Sequence, residues 1–272
     1  MKNIVLPVSG NLRSQETNLE QNIYTALCSK RWKDKTIWES IRDKELTAAP
    51  CFAGNDYSHE DIKIMIIGRA VNGWEVEFED CSSLENTVLS IMNQENRLDD
   101  FAKDFILYDA VEDNKVVQKK YHYAKSPFLR MMRQLVGKFT NSEDNWQRRI
   151  VWSNLYKIAP RKGGNPSWTM IRDDLGLYIE LVKQEINQYH PDVVVFVTDM
   201  DFFEPYPNNK KYPSFRRLVS EENCDKGLNY VRLYGSFIDN SATKIIVSSR
   251  PERRPIKDVV EEIYEAYQLL LQ

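Results

Sequence analysis

Three short stretches of this chain gather side chains suited to charged or flat, hydrogen-bonding ligands. They are Gly68-Arg69-Ala70-Val71-Asn72-Gly73-Trp74, the run from Asn154 through Lys157 and Pro160 to Arg161, and Arg250-Pro251-Glu252-Arg253-Arg254. Arginine stays protonated and presents a planar fork of donors. Arg69 and Arg250 therefore suit a phosphate, a carbonyl or a developing anion, and neither can abstract a proton. The Asn154 amide supplies a donor and an acceptor together; its other reading is a cap on its own loop. Asn72 can orient a water, with Glu75 and Glu77 as the acidic residues that follow it. Trp74 offers a face for stacking on a base or for packing. Gly68 and Gly73 allow a ligand close to the backbone. Lys157, Arg161, Arg253 and Arg254 add cations suited to phosphates. A cleft with Arg69 and Arg250 but no carboxylate is expected to bind anions and to hydrolyse poorly.

Metal chemistry has little support. His59, His122 and His190 are far apart and lack ligand spacing, and Cys28, Cys51, Cys81 and Cys224 contain no C-x-x-C pair. No cofactor is expected.

Each stretch follows a continuous apolar run, namely 62–68 (IKIMIIG), 149–155 (RIVWSNL) and 243–249 (TKIIVSS), and a fourth run at 192–198 (DVVVFVT) leads into DMDFFEPY. Continuous Val- and Ile-rich runs suit strands buried on both faces. Between and after them lie amphipathic stretches. SPFLRMMRQLVGKF puts Phe128, Met131, Met132, Leu135, Val136 and Phe139 on one face, and IRDDLGLYIELVKQEINQY and PIKDVVEEIYEAYQLLL repeat the pattern. The alternation predicts a three-layer α/β/α sandwich with a four-stranded, mainly parallel sheet. Residues 1–272 read as a single domain, with a helical extension over 1–55 (helix-like from 17 to 47) and an α/β core over 56–272. A helix is expected around 83–92, an additional strand at 229–235, and an insertion or loop over 200–227. Ligands of such sheets bind beyond the carboxyl ends of the strands. Gly68, Arg69, Asn72, Asn154 and Arg250 are thus expected to share one cleft. The alternative for Gly68–Trp74 is an ordinary strand-to-loop turn.

Hydrophobic residues make up 42% and charged residues 28%, which predicts a globular rather than disordered chain. No apolar run approaches the length of about 18 residues needed to span a membrane, and the first residues lack the apolar segment of a signal peptide. A cytoplasmic monomer is the default expectation. The net charge of −3 gives no overall attraction to nucleic acid, but basic residues cluster locally, including Lys210, Lys211, Arg216 and Arg217.

The order of these signals resembles the uracil-DNA glycosylase superfamily over roughly residues 62–271. The family's first motif, after the first core strand, corresponds to Gly68–Gly73. Its middle strand ends in an asparagine followed by a Lys/Arg–Pro stretch, matched by SNLYKIAP with Asn154, Lys157 and Pro160. The helix and strand after it resemble EINQYHPDVVVFVT, and its closing His-Pro-Ser corresponds to Arg250-Pro251 within VSSRPERRP. The resemblance implies a DNA-repair hydrolase that flips a base from DNA and cleaves its N-glycosidic bond. It assigns base reading to Asn154, with Gly68, Arg69, Ala70, Gly73 and Trp74 around it, and catalytic positions to Asn72 and Arg250. Arg69 and Ala70 stand where many members carry water-handling residues. The alternative is therefore an inactive member of the fold that binds nucleic acid, a nucleotide or a free base. The cysteine spacing does not match the iron–sulfur cluster of the thermostable branch.

Overall fold

The four apolar runs become adjacent strands at the centre of one sheet. The computed structural model describes residues 46–48, 51–70, 105–112, 115–122, 125–160, 163–223 and 227–272. In chain order the strands and helices are β1 (Leu46–Ala48), β2 (Phe52–Ala53), β3 (Ile64–Ala70), β4 (Phe105–Glu112), β5 (Lys115–His122), α1 (Pro127–Thr140), β6 (Ile150–Tyr156), β7 (Ile158–Pro160), α2 (Trp168–Tyr189), β8 (Val193–Val197), α3 (Met200–Phe203), β9 (Val219–Asn223), β10 (Val231–Phe237), β11 (Asn240–Ser248) and α4 (Ile256–Leu269).

The main sheet has the order β2-β6-β3-β8-β11-β10-β9. β6, β3, β8 and β11 are mutually parallel, while β2, β10 and β9 join antiparallel. The sheet is thus mixed and seven-stranded, not four-stranded. Two of the extra strands come from the region after β8. The expected strand at 229–235 is β10, and 200–227 is not merely a loop, since it supplies α3, a 3-10 turn at Phe215–Leu218 and β9. The sheet also takes in Phe52–Ala53, ahead of the expected core boundary at residue 56. Leu46 and Thr47, read as the end of a helix, lie instead in β1, which pairs antiparallel with β7. A separate hairpin, β4–β5, was not anticipated. The expected helix at 83–92 and the helix-like residues 17–45 lie outside the described residues.

Burial explains the unbroken apolar segments within the parallel strands, residues 64–67, 150–152, 193–197 and 245–247. One face of the sheet, with Ile64, Ile66, Trp152, Val195 and Ile246, packs against α1 and α4. The other, with Met65, Ile67, Val151, Val194, Phe196 and Val247, packs against α2 and α3. These are the three layers that the alternation predicts. The helices start and stop where their capping residues dictate. Ser126 accepts a hydrogen bond from the Leu129 N–H and Pro127 opens α1, while Ser167 accepts from the Met170 N–H at the start of α2. α2 ends at His190 in the left-handed conformation, so this histidine has a structural role.

Candidate functional site

Strand order locates the site. The chain passes from β3 to β6 on one side, then crosses back to β8 on the other side of β3. The reversal falls between β3 and β8. Helices leave to opposite faces at such a point and open a crevice beyond the strand ends. The register brings these ends level, with Gly68 opposite Asn154, Ile67 opposite Phe196 and Val197 opposite Ser248. Gly68, Arg69, Asn154 and Arg250 therefore lie at the same, carboxyl end of the sheet.

Arg69 spans the crevice. Its Nε donates to the Thr198 carbonyl at 2.7 Å, and its terminal nitrogen pairs with Asp199 Oδ2. The guanidinium carbon lies 3.9 Å from the Phe202 ring centroid. Burial, and then the charge of Arg250, pull the Arg69 guanidinium below its ordinary pKa, while Asp199 opposes them.

Asp199 is the residue that sequence reasoning missed. Its carboxylate also accepts from the Arg250 backbone N–H at 3.2 Å and lies 3.5 Å from the Arg254 guanidinium. Its backbone adopts φ 58° and ψ 159°, which non-glycine residues rarely do. The Arg250 guanidinium meets Glu252 at 2.5 Å. The expectation of arginines without a nearby carboxylate is therefore corrected, because two carboxylates partly neutralise them. The signal available was an acidic residue two positions after a wholly apolar strand, at the mouth of the sheet. Arg254 donates to the Arg250 carbonyl at 2.7 Å. Arg253 is exposed, with φ 63°.

Asn154 is buried, and it approaches the sheet edge from the face opposite to Arg69. A Cβ added to Gly68 would stand 2.7 Å from Asn154 Oδ1 and 3.3 Å from the Phe128 ring. Glycine at 68 is thus what leaves room for the amide. Asn154 forms no side-chain hydrogen bond with a described residue. Ala70, opposite Tyr156, packs toward the α2 face. Asn154 and Arg250 stand three strands apart, about 14 Å along the edge. To touch the same base, the Arg250 side chain would have to leave Glu252 and reach back.

Lys157 does not serve the expected phosphate role. It is fully buried, with its Nζ 2.7 Å and 2.8 Å from the two Glu185 carboxylate oxygens, and it also donates to Ser153 Oγ. The chain turns inward after β6 and carries the ammonium under α2. There a buried charge requires a partner. Asn72, Gly73, Trp74, Glu75, Glu77 and Arg161 lie outside the described residues. Among the described residues no group of three or more His, Cys, Asp or Glu is arranged to hold a metal ion, and no helix is long and apolar enough to cross a membrane. Comparison with protein-family models and with curated proteins gives no match to this sequence.

Proposed function

We propose that this chain is a divergent protein with a uracil-DNA glycosylase-like core, and that it binds DNA at the carboxyl edge of its sheet with a base against Asn154. The observation that carries the reading is the Asn154 amide, buried over Gly68 at the edge where parallel sheets hold ligands. Arg69, Arg250, Arg253 and Arg254 outnumber Asp199 and Glu252 there, which supports an anionic partner. Asn154→Ala should remove about 1–3 kcal/mol of base-dependent affinity, the value of one well-placed bidentate contact. Fluorescence anisotropy with oligonucleotides carrying uracil, hypoxanthine, xanthine or an alkylated base measures it. Equal affinity of wild type and Asn154→Ala for every base would sink the reading.

A second reading, base excision, is favoured by Asp199, a carboxylate at the same edge. It is engaged by Arg69, Arg254 and the Arg250 N–H. To handle a water it would need Arg69 to transfer to a substrate phosphate. Abasic sites formed by the wild type and lost in Asp199→Asn would support this reading. No abasic sites on any of these substrates would leave binding alone.

A further inference from the structure

We propose that the surface formed by the first turn of α2 and the 204–213 segment is a track for single-stranded nucleic acid, with Trp168 as its stacking platform. The inference rests on the nucleic-acid reading of the adjoining edge and specifies an unpaired strand rather than a duplex.

Trp168 is 51% exposed, an unusual position for the largest apolar side chain. It is nevertheless held in place. Its carbonyl accepts the Tyr206 hydroxyl at 3.0 Å, and its ring lies 5.3 Å from that of Phe202 at an interplanar angle of 32°. Phe202 also carries the Arg69 guanidinium, so the platform continues directly into the crevice. Tyr206 packs on Tyr212 with centroids 4.9 Å apart, and Lys211 lies 5.8 Å from the Tyr212 ring. Lys210 and Lys211 are exposed and form no ion pair with a described residue. Arg172, also on the first turns of α2, is matched by Asp173 at 2.9 Å and adds little net charge.

Aromatic faces interleaved with cations are what an unpaired strand needs. Its bases stack on the rings and its phosphates meet the ammonium groups, with little dependence on sequence. A duplex hides its base faces and offers Trp168 nothing to stack on. The platform is prebuilt, so binding does not have to order it.

The test uses thymidine monophosphate, labelled oligothymidylates of increasing length and a duplex control, with the full chain and anisotropy as readout. Affinity of the wild type should rise with oligomer length and exceed that for the duplex. Trp168→Ala should weaken the longer oligomers roughly tenfold, Trp168→Phe should restore most of the loss, and Lys210→Ala/Lys211→Ala should flatten the salt dependence. Mononucleotide binding should stay unchanged in all three variants. A wild type that binds the monophosphate but gains nothing with length overturns the track and leaves the Asn154 reading standing. Long oligomers held through Trp168 without monophosphate binding support the track and count against the Asn154 reading. Equal affinity for duplex and single strand, or for a polyglutamate of similar charge, overturns the stacking proposal.

Discussion

At the scale of single residues, Asp199 combines two opposing terms. Its positive-φ backbone costs about 1–3 kcal/mol, and its carboxylate organises three arginines through two guanidiniums and one backbone N–H. Replacing it separates the two. Asp199→Ala loses the carboxylate and keeps the strained backbone. Asp199→Gly loses the carboxylate and relieves the strain, offset by about 0.4–1 kcal/mol of extra unfolded-chain entropy. Both should be less stable than wild type, with the glycine variant about 1 kcal/mol above the alanine variant by urea denaturation at constant slope. Identical midpoints would refute the strain account. Both variants should also bind polyanions with a steeper salt dependence, since Arg69 and Arg254 are then released.

At the scale of elements, β2 reaches the sheet through backbone lying on backbone. A Cβ on Gly54 would fall onto the Arg148 carbonyl and 2.5 Å from the Arg148 Cα. No side chain can move aside to relieve that. Gly54→Ala should cost about 3 kcal/mol or more, at the upper end for overpacking. Gly176→Ala, on an exposed turn of α2 with only Pro213 at 3.8 Å, should instead gain up to about 1 kcal/mol. Thermal midpoints of the two variants should move in opposite directions. The same level shows what could be read from the sequence. β3, β6, β8 and β11 were legible because the segment of each strand that is covered on both faces, three to five residues long, reads as an unbroken apolar run. The polar VSEEN of β9 and the mixed composition of β4 and β5 gave no such signal. Arg69, Asn154 and Arg250 could be placed on one edge because topology alone puts strand ends together. Their partners could not. Arg69 meets Asp199 across 130 residues of sequence, and the burial of Lys157 depends on how the chain turns after β6.

For the whole molecule, two buried phenols link the layers. Tyr57 donates to the Tyr189 carbonyl at the end of α2, and Tyr156 donates to the Phe202 carbonyl in α3. Burial pushes both hydroxyls well above the ordinary tyrosine value of 10.0. A raised pKa stabilises the fold fully below the unfolded-chain value, and that contribution is lost as pH rises toward the folded one. Stability should therefore fall above about pH 10, by up to roughly 1.4 kcal/mol per pH unit for each phenol. The Tyr57→Phe/Tyr156→Phe variant should be less stable at neutral pH by about 1 kcal/mol per lost hydrogen bond and should show a shallower alkaline decline. Parallel declines in wild type and variant would count against these two groups.

The central strand has a consequence for how the chain is made. β3 is flanked by β6 and β8, and both lie far downstream in the sequence. At a synthesis rate of roughly 5–20 residues per second, Ile64, Met65, Ile66 and Ile67 leave the ribosome several seconds before Ile150 exists to pair with them. Four residues with no solvent exposure in the finished protein thus begin as an uncovered apolar segment. The growing chain is most vulnerable to aggregation and most dependent on chaperones in that interval, before the neighbours of its first parallel strand have been translated.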